Sequence, residues 1–136
     1  MVDITKLSNG VQIVTDEMPD VETVSLGFWV SVGARCEEEA INGISHLLEH
    51  MAFKGTESQT ALQIAEKIEN VGGIINAYTS REVTAYYVKV LKQDVPLALG
   101  ILSDIFQNST MIDEELKREK EVVVQEIGQT YDAPDE

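Results

Sequence analysis

The two histidines of this 136-residue chain, His46 and His50, lie four positions apart, and Glu49 directly precedes the second. A helix turns by about 100° per residue, so a helix through this stretch would carry all three side chains on one face. Apolar residues collect on the opposite arc: Ile44, Leu47, Leu48, Met51 and Ala52. His-x-x-Glu-His is the inverted zinc-peptidase motif, in which imidazoles bind Zn²⁺ and the carboxylate accepts a proton from water. The pattern favours a metal site over a surface helix that carries two histidines by chance.

Two histidines do not complete a catalytic zinc site, which has three protein ligands and one open position. The chain holds no other histidine, and its single cysteine, Cys36, stands in an acidic stretch typical of a loop. We interpret Cys36 as an incidental thiol, so the third ligand should be a carboxylate. On the last predicted helix, Glu119 and Glu126 fall within the apolar stripe, where an unpaired carboxylate would be costly. The helical pattern by itself leaves both as candidates.

Composition describes one soluble globular domain, with 43% hydrophobic and 25% charged residues. The formal charge of −14, from 24 acidic and 10 basic residues, argues against a nucleic-acid partner. This charge fits attraction of basic peptides and simple solubility about equally well. No apolar run reaches the length of a membrane span, and we expect neither a spanning segment nor a leader.

Strands and helices are predicted from periodicity and from turn and cap residues. The first predicted elements are a hairpin of 4–7 and 11–14 around Asn9-Gly10, a central strand over 24–32, and the motif helix, which is capped by Asn42 and closed by Gly55. The next are a helix that begins with a Thr60–Gln63 capping box and stops at Gly72-Gly73, and the strands Ile74–Thr79 and Thr84–Leu91. The last are a helix over 94–107 with Pro96 in its first turn and a long helix over 113–130. Strands joined by hairpins and interleaved with helices predict the α+β class, mainly an antiparallel sheet covered by helices.

The stretch from Gly43 to Thr56 resembles the active-site helix of the pitrilysin/insulinase metallopeptidases, most closely the mitochondrial processing peptidase β-subunits and their bacterial homologues. The resemblance extends from Ile4 to Asp132. It implies a zinc-dependent endopeptidase with one Zn²⁺ held by His46, His50 and Glu126. It also implies that Glu49 acts as the general base and that Glu119 orients a ligand imidazole from behind.

The stretch from Gly72 to Thr79 resembles the family's edge strand, to which a substrate peptide adds as an extra strand. The resemblance implies that the backbone of Asn76 and Ala77 holds a polypeptide substrate, expected to be a basic, extended, targeting-type segment. Phe53 falls beside the site on the motif helix and could line a substrate pocket, although core packing explains a lone aromatic better. Arg81 could meet substrate or simply occupy the connection between two strands, and we favour the connection.

Members of this family have several hundred residues in two or four similar domains. The resemblance therefore implies that residues 1–136 form the N-terminal part of the first, catalytic domain and that the remainder is missing. Such a piece should be weak or inactive alone, and should form a homo-oligomer or associate with the missing domains. The alternatives are a non-catalytic assembly subunit of the same fold and a simple metal-binding domain. The expected setting is a bacterial cytoplasm, with the mitochondrial matrix as the alternative.

Overall fold

Five strands and four α-helices follow one another along residues 1–132, the part of the chain that the computed structural model describes. They are β1 (Val2–Lys6), β2 (Gln12–Asp16), β3 (Thr23–Val30), α1 (Ile44–Ala52), α2 (Ala61–Glu69), β4 (Ile74–Thr79), β5 (Thr84–Leu91), α3 (Val95–Asn108) and α4 (Asp113–Asp132). Every strand pair is antiparallel. The predicted α+β class is confirmed.

The N-terminal hairpin has the predicted turn. Strands β1 and β2 pair with Ile4 opposite Val14, and the Gly10 N–H donates to the Leu7 carbonyl at 3.0 Å. Gly10 has a φ of +92°, a backbone conformation that glycine adopts without steric cost. Within residues 1–132 this hairpin pairs with no other strand, and its side chains are exposed.

The second sheet has the order β3-β5-β4. The bounds of β4 and β5 match their prediction, but the prediction that β3 is central is wrong: in the described residues β5 is central and β3 lies at an edge. A run rich in β-branched and aromatic residues indicates a strand that packs on a face, and it carries no information on sheet order. The close backbone approach expected at Gly27 is real, because a Cβ there would lie 2.6 Å from the Tyr86 carbonyl oxygen.

The hydrophobic core lies between the β5 face of this sheet and helices α1, α2 and α3. Its buried members are Ala52, Ile64, Ile68, Val88, Val90, Ala98, Ile101, Leu102 and Ile105. Their recurrence at helical spacing in α2 and α3 explains why these two helices dock on the sheet. None of the helices in residues 1–132 is both long enough and apolar enough to cross a membrane.

Both ends of α1 differ from the prediction. Gly43, with φ +92°, occupies the N-cap position that was predicted for Asn42, and it offers no side-chain cap. The Glu37 carboxylate fills that role instead, accepting the Gly43 N–H at 2.6 Å and the Ser45 N–H at 2.8 Å. The helix ends at Ala52, before Gly55, whose φ of +122° turns the following loop.

The capping box of α2 is confirmed. Thr60 Oγ1 accepts the Gln63 N–H at 3.2 Å, and Gln63 Oε1 accepts the Thr60 N–H at 2.9 Å. The loop before it is tied to α3 by Asp104, whose Oδ2 accepts hydrogen bonds from Thr56 Oγ1 at 2.6 Å and Gln59 Nε2 at 2.8 Å. This anchor fixes the connection between α1 and α2.

Candidate metal centre

Helices α1 and α4 pack against each other and bring three side chains together. Between His46 Nε2 and His50 Nε2 the distance is 3.2 Å. Glu126 Oε2 on α4 lies 3.2 Å from His46 Nε2 and 3.4 Å from His50 Nε2. No other group of three or more His, Cys, Asp or Glu side chains in residues 1–132 converges in this way.

These three atoms form a nearly equilateral triangle that suits one tetrahedral metal ion. Zinc bonds to nitrogen and oxygen are about 2.0–2.1 Å long, so neighbouring ligand atoms of a tetrahedron lie about 3.3–3.4 Å apart. The observed sides of 3.2, 3.2 and 3.4 Å match this spacing. The donor set of two imidazoles and one carboxylate is also one that catalytic zinc uses. The residues fit zinc with one position left open.

Glu49 lies on the same helix as the two histidines and is half-buried. Within the described residues its carboxylate takes part in no hydrogen bond or ion pair. Its charge is felt by Tyr86: burial raises the pKa of that phenol, and the negative charge of Glu49 raises it further. The carboxylate thus lies on the helix that carries both histidines and is not one of the corners of the triangle.

Glu119 lies behind His50, two turns before Glu126 on α4. Its Oε2 atom is 3.1 Å from His50 Nδ1, and its Oε1 atom is 2.6 Å from Lys54 Nζ. The residue is only 7% exposed. Burial acts to raise the pKa of this carboxyl, but the hydrogen bonds from Lys54 and His50 outweigh it and hold the pKa below its usual range. Glu119 is thus a carboxylate that can accept a hydrogen bond from the His50 Nδ1–H group, which leaves His50 Nε2 facing the triangle.

The two acidic residues predicted in the apolar stripe of α4 differ in burial. Glu119 is buried, as the stripe predicted, whereas the Glu126 side chain is 45% exposed. The Glu126 side chain is therefore partly in contact with water. The packing of α4 on α1, and not desolvation, explains why Glu126 points at the histidines.

Strand β4, which carries Asn76 and Ala77, lies at the other edge of the sheet and touches α1 through Thr79. The hydroxyl of Thr79 donates to the Ser45 carbonyl at 3.3 Å. The Ser80 N–H donates to the Val83 carbonyl at 2.8 Å, and antiparallel alternation then directs the backbone groups of Ala77 away from β5. The free edge therefore offers the backbone of Ala77, whereas that of Asn76 faces β5.

The side chain of Asn76 covers part of this edge. Its Oδ1 atom accepts the Ala77 N–H at 2.8 Å. An added peptide strand that bonds to this N–H would have to displace the side-chain oxygen. Asn76 thus acts on this strand edge through its side-chain amide, whereas the resemblance implied a role for its backbone.

Phe53 packs on the core and also borders a cavity, and whether that cavity takes substrate stays a prediction. Its ring packs on the core, with its centroid 6.4 Å from that of Tyr86. It also lines an apolar cavity of about 210 Å³ together with Ala61, Ile64, Ala65, Ile75 and Asn76. The cavity adjoins the β4 edge.

The remaining two residues considered from sequence lie outside the triangle. Arg81 is exposed in the connection between β4 and β5, and its carbonyl accepts the Arg35 N–H at 2.9 Å. Cys36 is an exposed free thiol.

Sequence reasoning missed Glu37 and Lys54, since neither contact shows in local spacing. Lys54 alone carried a signal, being a basic residue just past the motif helix.

The chain matches the model of the insulinase family, peptidase family M16, over residues 12–136. It is 50% identical over 128 residues to a Bacillus subtilis protein named an uncharacterized zinc protease, covering 94% of this chain and 31% of that protein. It is 45% identical over 124 residues to the mitochondrial-processing peptidase subunit beta of Rattus norvegicus, covering 91% and 25%.

A crystal structure of a protease from Helicobacter pylori has a similar fold. It superposes with a TM-score of 0.87 at 27% identity, covering 93% of this chain and 30% of that one. The chain therefore spans about a third or less of the length of these relatives.

Proposed function

The chain belongs to the insulinase family of peptidases, and from this premise we propose that it provides the metal-binding and water-activating part of a zinc-dependent endopeptidase. The observation that carries the proposal is the triangle of His46, His50 and Glu126, whose sides of 3.2–3.4 Å suit one tetrahedral zinc ion. Zinc supplies Lewis-acid activation of water and of the scissile carbonyl when it is bound.

In the proposed reaction Glu49 is the general base. It accepts a proton from the water that attacks the peptide carbonyl and then gives it to the leaving amine. Its place on the same helix as His46 and His50, with no hydrogen bond or ion pair among residues 1–132, supports this role. Glu119 holds the His50 ring through Nδ1, so that Nε2 keeps its direction toward the metal.

The substrate in this proposal is an extended polypeptide that adds to the free edge of β4. Main-chain hydrogen bonds to Ala77 would set its register without demanding a particular sequence. The cavity bordered by Phe53 and Asn76 would take one apolar side chain of that peptide.

A basic, targeting-type segment is the proposed substrate class. The charge of −14 supports it, because an acidic surface attracts cationic peptides over a distance. The similarity to mitochondrial-processing peptidase subunits supports it independently. The similarity to bacterial zinc proteases favours a bacterial cytoplasm, and the mitochondrial matrix is the alternative.

The relatives are three to four times longer, so we propose that residues 1–136 are the first part of a catalytic domain. Clamping of the substrate would then fall to further domains. Orientation terms of this kind account for roughly 7–11 kcal/mol of a barrier. We therefore expect slow hydrolysis from this chain alone.

The test combines zinc content with cleavage of a quenched fluorescent peptide. We expect one zinc per chain, slow cleavage of a basic extended peptide, loss of cleavage on chelation, and recovery when zinc is returned. An acidic peptide of equal length, as the matched control, should be cleaved more slowly. A chain that binds no zinc, or cleavage that survives complete chelation, would contradict the proposal.

A further inference from the structure

Among the lysines and arginines of residues 1–132, Lys54 is the only one that forms an ion pair with the buried Glu119. It stands two residues past the end of α1, whereas Glu119 lies on α4. The Glu119 carboxylate is divided between two partners, with Oε1 on Lys54 Nζ at 2.6 Å and Oε2 on His50 Nδ1 at 3.1 Å. Each oxygen therefore has a donor, and the carboxylate is held at both ends.

We propose that Lys54 is a positioning residue for the metal site, acting through Glu119 on the ring of His50. The inference rests on the proposed zinc site, because it concerns how one of its ligands is aimed. Without the ammonium group, one oxygen of a nearly buried carboxylate loses its donor, and the group is free to rotate away from His50. The imidazole then loses the bond that fixes its Nδ1 proton and keeps Nε2 directed toward the triangle.

Lys54 has two opposing effects on zinc affinity. As a positive charge near the site, Lys54 repels a cation, so its removal should tighten zinc binding if charge alone mattered. As the anchor of Glu119, its removal should weaken zinc binding. Loss of an outer partner of a metal ligand typically lowers metal affinity about 10- to 100-fold. We infer that positioning prevails, because the Lys54 side chain is 32% exposed and nearby water weakens its repulsion of a cation, whereas its hydrogen bond to Glu119 is short.

The experiment measures zinc affinity by chelator competition for the wild type, Lys54→Met, Lys54→Arg and the control Lys67→Met. Lys67 also donates a short hydrogen bond, 2.6 Å to Gln59 Oε1, but on α2 outside the site. We expect zinc affinity to fall about tenfold or more in Lys54→Met. It should be largely restored in Lys54→Arg and unchanged in Lys67→Met. Affinity in Lys54→Met equal to or tighter than the wild type would overturn the inference.

A second measurement reports on His50 directly and needs no metal. With only two histidines in the chain, the ¹⁵N spectra hold the signals of two imidazoles, and a His46→Gln variant is enough to assign them. In the metal-free protein we expect His50 to carry its proton on Nδ1, and Lys54→Met to lose this preference while Lys67→Met keeps it. An unchanged His50 spectrum in a folded Lys54→Met protein would overturn the inference.

The Glu119→Gln background guards against a variant that simply fails to fold. Since Lys54 acts through the Glu119 carboxylate, adding Lys54→Met to a Glu119→Gln protein should change zinc affinity little. A further tenfold loss there would contradict the inference. A wild-type protein that binds no zinc would instead refute the proposed function, and the His50 spectra would still decide the role of Lys54.

Discussion

The carboxylate of Glu37 accepts the backbone N–H of Ser45 at 2.8 Å, one residue before His46. The same carboxylate accepts the Gly43 N–H at 2.6 Å. A helix N-terminus leaves its first N–H groups without partners, and an anion there is also favoured by the helix dipole. A residue from an acidic connection thus fixes the start of the helix that carries the proposed metal ligands.

Glu37→Ala should lower the free energy of unfolding by about 1 kcal/mol, the usual cost of losing a helix cap. Burial acts to raise the pKa of the Glu37 carboxyl, but the hydrogen bonds from Gly43 and Ser45 prevail and lower it. A depressed pKa means that the contribution is present above the ordinary value and fades as pH falls through the lowered one. Urea unfolding at pH 7 and below pH 4 measures the free energy of unfolding of Glu37→Ala. The control is Glu38→Ala, a substitution at an exposed neighbour. Equal stability of wild type and Glu37→Ala at pH 7 would show that the cap contributes nothing.

Glu126→Gln should weaken zinc binding by more than the roughly 10- to 100-fold that loss of an outer partner causes. The reason is that a neutral amide replaces a charged corner of the triangle. Chelator competition measures the loss, and Glu121→Gln on the exposed face of α4 is the control. Unchanged affinity in Glu126→Gln would leave the two histidines without their third ligand.

Glu49→Gln should keep zinc but lose peptide hydrolysis by at least about 10²-fold, because an amide cannot accept the proton from water. Zinc content and peptide cleavage measured on the same sample separate the two effects. If the variant cleaved peptide at the wild-type rate, another group would have to activate the water.

Asp104→Asn should lower the melting temperature, because one carboxylate serves several donors. Hydrogen bonds from Thr56, then Asn108 and Gln59, hold the pKa of this carboxyl well below its usual range. The stabilisation is therefore complete above about pH 4, the ordinary pKa, and is lost only in stronger acid. Thermal unfolding should show a constant gap between wild type and variant from pH 8 to pH 5 that narrows below pH 4. Asp94→Asn, at the other end of α3, should show a smaller change at every pH.

The chain should self-associate in solution. The β1–β2 hairpin exposes apolar side chains such as Ile4 at 66% and Val14 at 61%, and within residues 1–132 neither of its edges is paired with a further strand. Open edges of this kind favour pairing with another chain. Light scattering should detect a dimer or larger species, and Val14→Lys should shift it toward monomer. A monodisperse wild-type monomer would contradict this expectation.

Local features of the fold could be predicted from the sequence because their causes lie within a few residues. The rotation of a helix places His46, Glu49 and His50 on one face, whatever the rest of the chain does. The Thr60–Gln63 capping box and the turn at Gly10 likewise depend on neighbours in sequence. These elements appear in the structure as predicted.

Only the tertiary structure decided which distant groups meet. The helical pattern left Glu119 and Glu126 equivalent, and before the structure only the family resemblance distinguished them. The packing of α4 on α1 brings Glu126 to the triangle and Glu119 to His50 Nδ1. The central place of β5 and the contact of Lys54 with Glu119 likewise depend on how whole elements dock. Side-chain spacing along one helix sets a direction in space. The partner found in that direction depends on the docking of whole elements that lie far apart in the chain.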